Sequence, residues 1–478
     1  MMAVGKLTRK LPIVLVPLMV CAWAPLAAQD DAVIEEALRE LELYESDLFR
    51  LEADGVYHAP QLVEPLSRIA DSYMELNRFA EAHATLDRAQ QIVRIEEGLY
   101  TKSQLPFLHR KIENLVNAGD WREARKLQDH TIWFYLNKYS WPDQDMMRGL
   151  MDLSYVHMQG ITEDLVENQG YHYLRAAFSS RVALVVAERI WPQHEQRKAG
   201  LIYEQMRITY LQASAINKGG TVGQSLRTTG GNYPIAPNAY AAERIMSPER
   251  ALNMHRSNGV NFLERMRRIY AGEEEREVSE ALAMVKLYQA DWYLLFDRRL
   301  RALQDYREAW DMLLQAGVPE DDVRRLFAKP VLLPEPTFYD SVEKALAARA
   351  RAPEDAPAAF EEGVPVKIFF DDERPLAAES FSAEKLGLME SNDWQVVALF
   401  SFDLPAAEDI ETRQGWRRQN ALGVAQNLQL LELEDFPVNR DVEQLIQNLG
   451  RLRFRPALNE GEAQAADGVI SYLASADP

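Results

Sequence analysis

Asn77-Arg78-Phe79-Ala80-Glu81-Ala82 and Gly119-Asp120-Trp121-Arg122-Glu123-Ala124 decide the fold. In each, a turn leads into an aromatic residue and, three positions later, an alanine. The likeness extends outward. Leu66 answers to Leu108, and Gly55-Val56-Tyr57 followed by Gln61-Leu62 recurs as Gly98-Leu99-Tyr100 followed by Gln104-Leu105. Before the first turn, Leu66, Ile69, Ala70 and Tyr73 stand at helical spacing; after it, Ala82, Leu86 and Ala89 continue the pattern. Each unit therefore predicts two antiparallel helices. One such pair cannot bury its own apolar face, so neighbours are expected to stack.

Small Ala70 and Ala82 let two helix axes approach, and bulky Tyr73 and Phe79 fill the space beside them. In this alternation the sequence resembles the tetratricopeptide repeat. The second unit keeps Leu108, Leu115, Gly119, Trp121 and Ala124 but carries Ile112 where a small residue is usual. A third match is Ala290, Trp292, Tyr293, Ala302, Tyr306 and Ala309, on a helix pair expected over about 278–315. The stretch 140–215 reads as degenerate repeats. The resemblance implies a mainly α fold, a TPR-like superhelix over 29–346 with a concave groove. Carried over residue by residue, the groove would present Ser67, Asp71, Met74 and Glu75 from the first unit, and His109, Glu113 and Asn117 from the second. A surface of that acidic character favours a basic partner segment. The Gly-, Thr- and Asn-rich stretch 217–238 reads as a long loop. Lys218-Gly219-Gly220-Thr221 within it lacks both the spacing of a phosphate loop and a preceding strand.

The two ends differ from this middle. Residues 1–28 place Lys6, Arg9 and Lys10 before the apolar run Leu11 to Ala24, and close on Pro25-Leu26-Ala27-Ala28. This is the pattern of a secretory signal peptide cleaved after Ala28, with an uncleaved membrane anchor over 11–28 as the alternative. The single cysteine, Cys21, falls inside it behind Val20, which does not suit lipidation, so the mature chain needs no disulfide. A periplasmic location follows as the expectation.

At the other end, 347–363 is rich in Ala, Pro and Glu and reads as a linker. The period then changes to two: Val364, Val366, Ile368 and Phe370 alternate with Pro365, Lys367 and Phe369. Trp394 to Phe402, Asn427 to Leu433 and Gly468 to Leu473 read as further strands, and Asp441 to Asn448 as a helix. Then comes Phe454-Arg455-Pro456-Ala457 with Gly461 behind it. This stretch resembles the C-terminal domain of TonB-type proteins, which implies a small α/β domain over 364–478. Phe454 would anchor in its core, Pro456 would end a ladder and Gly461 would make a turn. The hairpin turn after the first strand departs from that pattern, with a longer segment containing Trp416 in its place. In that family the domain meets an outer-membrane receptor, partly by adding a strand at a sheet edge.

Composition narrows the function. In 478 residues, 47% are hydrophobic and 26% charged, which is globular, and the net charge of −20 argues against general nucleic-acid binding. None of the eight histidines falls in a His-Glu-x-x-His pattern, and no Gly-x-Ser-x-Gly occurs. No catalytic residue, cofactor or metal is expected. The residues point to a non-catalytic scaffold for other proteins, envelope or outer-membrane proteins among them. The alternative is a TonB-like energy transducer held in the membrane by its N-terminal helix. That reading lacks a histidine in residues 11–28 and has only a short spacer.

Overall fold

The computed structural model describes residues 24–53, 59–139, 142–192, 195–227, 246–271, 278–351, 358–359, 365–370, 394–406, 422–433, 446 and 449–475. It is mainly helical, with small sheets toward the C-terminus. The chain divides into two compact units, Met1–Tyr139 and Ser140–Pro478. Residues 1–23 of the expected leader 1–28 lie outside the described residues, while its last five begin a helix at Ala24; His58, His194, Trp416 and most of the expected helix 441–448 also lie outside them. Among the described residues, no helix is long and apolar enough to cross a membrane.

The first unit holds α1 (Ala24–Ala53), α2 (Val63–Glu75), α3 (Phe79–Glu97), α4 (Leu105–Asn117) and α5 (Trp121–Asn137). Leu62, Leu66, Ala70, Leu86, Ala89 and Ile92 form its core, with Phe107 of α4 packed in. The expected hairpins, α2–α3 and α4–α5, are both present. Their turns are built alike: the Arg78 amide donates to the Tyr73 carbonyl at 2.8 Å, and the Asp120 amide to the Leu115 carbonyl at 2.8 Å. That closure needs a left-handed residue between the helices, which Asn77 supplies at φ 56° and Gly119 at φ 72°. Both are residue types for which this region costs little.

The second unit begins with α6 (Gln144–Glu163), α7 (Gln169–Ile190) and α8 (Arg197–Lys218), followed by short α9 (Gly220–Ser225) and α10 (Pro248–Tyr270). Then come α11 (Glu280–Leu295), α12 (Arg299–Gln315), α13 (Glu320–Phe327) and α14 (Val342–Arg351). The pair α11–α12 repeats the turn of the first unit, with Asp297 at φ 55° and the Arg298 amide donating to the Tyr293 carbonyl at 2.8 Å. Ala290, Trp292, Ala302, Tyr306 and Ala309 are all buried there. Trp292 lies so close to Gly259 of α10 that a β-carbon on that glycine would come within 1.9 Å of the indole. The expected loop at 217–238 is in part helical: Asn217 and Lys218 finish α8, and Gly220–Ser225 make α9.

The strands are β1 (Val331–Leu333), β2 (Ala358–Ala359), β3 (Pro365–Phe370), β4 (Trp394–Leu404), β5 (Gln426–Leu433), β6 (Arg453–Arg455), β7 (Leu458–Asn459), β8 (Glu462–Ala463) and β9 (Ala466–Ser475). The period-two runs of the sequence thus become strands. They assemble as a five-stranded antiparallel sheet in the order β2-β3-β9-β4-β5. The stretch read as a linker is not all spacer, since α14 runs on to Arg351 and β2 pairs with β3. Phe454 is fully buried, stacked on Phe402 at 5.3 Å in a core with Phe400, Leu404 and Ile470. Glu460 and Gly461, both at positive φ, make the β7–β8 turn.

Two further pairings tie this region to the helices. β6 pairs antiparallel with β1, placing Phe454 opposite Leu332. Leu458 and Ala463 of the small hairpin join the helical core around Trp292, Tyr306 and Leu326.

Candidate functional site

The seven groove residues expected from the sequence lie on α2 and α4, the first helices of the two hairpins. Glu75, Glu113 and Asn117 are exposed; Ser67, Asp71, Met74 and His109 are half-buried. Two of them already have partners inside the unit. Asp71 is ion-paired with Arg110 of α4, which answers its charge. His109 Nε2 lies 2.9 Å from the Tyr135 hydroxyl, and burial pushes its pKa down to about 4. At neutral pH it is an uncharged, packed imidazole and not a cationic contact. The acidic character of this face therefore rests on Glu75 and Glu113.

The second unit contains a site that sequence periodicity did not reveal. Two adjoining cavities, of about 390 and 370 Å³, share Tyr210, Arg451 and Arg453 as a common wall. Met158 and Ile161 of α6, Leu211 of α8, Leu332 and Leu333 of β1 and Leu452 line the first. Asn217 and Lys218 of α8, Arg256 of α10 and Arg298 of the α11–α12 turn line the second. Each wall follows from local structure. The left-handed Asp297 turns the chain back so that Arg298 stands at the hairpin tip, and the β1–β6 pairing lays Arg451 to Arg453 across the helices.

That pairing is fixed from below by Arg455. Its guanidinium is fully buried and holds Asp291 of α11 through two bonds, Nε to Oδ1 at 2.9 Å and Nη2 to Oδ2 at 2.5 Å. Nη2 also reaches Glu335 Oε2 at 2.9 Å, and Arg349 of α14 donates to the other Glu335 oxygen at 3.0 Å. Two carboxylates are answered by two cations, Arg455 fully buried and Arg349 partly exposed, and such pairing is the condition under which buried ions are tolerated. Tyr306 donates its hydroxyl proton to Asp291 at 2.8 Å, and the Tyr288 ring lies 5.8 Å beneath the guanidinium. Burial pushes the Asp291 carboxyl up, and Arg455 offsets this only in part. Burial acts on Glu335 in the same direction, but Arg455 and Arg349 together outweigh it and hold that carboxyl below its ordinary range.

A chain of buried side chains links α6 to α7. Asp164 Oδ2 lies 2.9 Å from His172 Nε2, and His172 Nδ1 lies 3.1 Å from His157 Nδ1. All three side chains are removed from solvent. They form a buried hydrogen-bonded network between the two helices. Gly160 permits it, since a β-carbon there would meet the His172 ring at 2.4 Å. Among the described residues, no group of three metal-ligating side chains could hold a metal ion.

No family model matches the chain, and no curated protein matches it in sequence.

Proposed function

We propose that the protein is an exported, periplasmic, non-catalytic scaffold for other proteins, a TPR-like array of helical hairpins. Its partners are envelope or outer-membrane proteins, held on the α2/α4 face and at the C-terminal sheet, the part that resembles a TonB-type domain. The observation that carries this reading is the recurrence of one hairpin design. The turns at Asn77, Gly119 and Asp297 share a left-handed residue and the same backbone closure. In the first two units the design presents Glu75, Glu113 and Asn117 outward from successive first helices. Residues in register on stacked hairpins form a continuous surface suited to an extended segment. The basic n-region and small-residue close of residues 1–28 support the export.

The test is site-specific photo-crosslinking in a Gram-negative host. A benzophenone side chain at Glu75 or Glu113 should trap discrete protein adducts. The same probe at exposed Arg122, on a second helix, should not. Equal trapping at all three positions, or none at any, would remove the α2/α4 face from the proposal.

A further inference from the structure

The paired cavities of the second unit differ in chemistry on the two sides of their shared wall. On one side are aliphatic and aromatic groups. The polar residues there are largely committed: Arg207 donates to Glu204 Oε2 at 2.7 Å and to the Pro336 carbonyl at 2.9 Å, and Thr162 donates to the Gln159 carbonyl at 2.9 Å. A peptide backbone entering this compartment would find few free partners for its amides and carbonyls. An apolar chain needs none.

The other side carries cations. Lys218, Arg256, Arg298, Arg451 and Arg453 line it against two acids, Glu249 and Asp297. Asp297 is already answered by Arg299 at 2.9 Å and Arg453 at 3.4 Å. Among the described residues, Arg256, Arg298 and Arg451 have no carboxylate partner, and the Arg256 Nε is buried without a hydrogen bond. Arg256 donates to the Asn253 amide oxygen at 3.2 Å, and all three guanidiniums line one cavity without a carboxylate of their own, in a chain whose net charge is −20. Neighbouring cations repel, so the cleft is poised for an anion that pairs with them.

We propose that this cleft binds an amphiphilic anion: a carboxylate or phosphate head held by Arg256, Arg298 and Arg451, with its apolar tail in the compartment of Met158, Ile161 and Leu452. A free fatty acid and a lysophospholipid-type phosphate share that chemistry. The two cavities together fall in the size range of small-molecule sites. This site goes beyond the scaffold reading and does not depend on it, since that reading rests on residues of the first unit.

Calorimetric titration of the full purified chain tests it. The probes are dodecanoate, dodecyl phosphate and dodecyltrimethylammonium, each below its micelle concentration. At least one anion should bind saturably with one-to-one stoichiometry, and at least ten-fold more tightly than the cationic amphiphile. Whichever anion binds better identifies the head group. Shortening the tail to eight carbons and then six should weaken binding several-fold at each step. The R298E/R451E double variant alters two exposed side chains, so its thermal unfolding should be unchanged while anion affinity falls at least ten-fold. The proposal is overturned if neither anion binds, if the cationic probe binds as well, or if the double variant binds unchanged. It is also overturned if an acidic octapeptide pool of Asp, Glu, Leu and Phe binds more tightly than both anions.

Discussion

Arg455 and Asp291 are 164 residues apart in sequence and meet through two hydrogen bonds in a fully buried core. The strand that carries Arg455 is thereby fastened to the helix that carries Asp291, and one wall of the paired cavities is set by that contact.

Removing the cation alone should be severe. R455A leaves Asp291 and Glu335 buried together with only Arg349 to answer them, at a cost of about 3–5 kcal/mol. Urea unfolding should show the midpoint fall accordingly, whereas D291L/R455M should recover part of the loss. A midpoint for R455A equal to that of the unaltered chain would mean the ion cluster does not hold β6.

The helix–helix turns make a graded prediction. Asn77 and Gly119 occupy the left-handed region, so N77G should be neutral or slightly stabilising. G119V should cost about 1–2 kcal/mol, because a β-branched residue resists that conformation. Chemical denaturation of the two variants side by side separates this from a surface effect, since nothing lies within 4 Å of a β-carbon built at Gly119.

Gly259 is a contact of the other kind. Its replacement by alanine drives a methyl group into the Trp292 indole, against a core that already contains Leu263, Met266 and Tyr288. Overpacking of this sort costs about 1–3 kcal/mol. A red shift of tryptophan fluorescence, together with a lower melting temperature, is the expected signature of G259A.

Acid should weaken the fold before it titrates most carboxylates. Burial pushes His109 and His255 down to about 4, and holds His157 well below 6.5, helped by nearby His172 and Arg175. The folded chain keeps these rings neutral while the unfolded chain takes up protons near 6.5. Their contribution is therefore complete above that pH and is lost as the pH falls toward 4. Asp291, raised by burial, acts in the opposite direction nearer the carboxylate range. Scanning calorimetry from pH 7 to pH 4.5 should show a steady fall in melting temperature. H109Q should make that fall shallower for the unit that contains it.

What the sequence disclosed follows the range over which each signal acts. The hairpins could be read because Ala70, Ala82 and Leu86 mark helix contacts within about 20 residues, and because Asn77 and Gly119 stand at turns that few other residues tolerate. The strands could be read because alternation is local. Phe454 was placed in a core correctly, but Arg455 beside it carries no local sign that its partners are Asp291 and Glu335. Nothing in spacing foretells that β6 pairs with β1 rather than with a nearer strand. For the same reason the paired cavities were invisible: Met158, Arg298 and Arg451 belong to three distant stretches. Of the residues expected in a groove, only the helices that carry them were legible. The internal pairing of Asp71 with Arg110 and of His109 with Tyr135 was not.

The fastening of residue 455 to residues 291 and 335 also bears on how the chain is made. Synthesis runs from the N-terminus, so Asp291 and Glu335 leave the ribosome more than a hundred residues ahead of the cation that answers them. Until Arg455 arrives, α11 cannot bury its carboxylate without leaving it short of a counter-charge. A product cut off before residue 455 carries that defect permanently. Closure of this ion cluster thus waits on residue 455, however early its carboxylates are made.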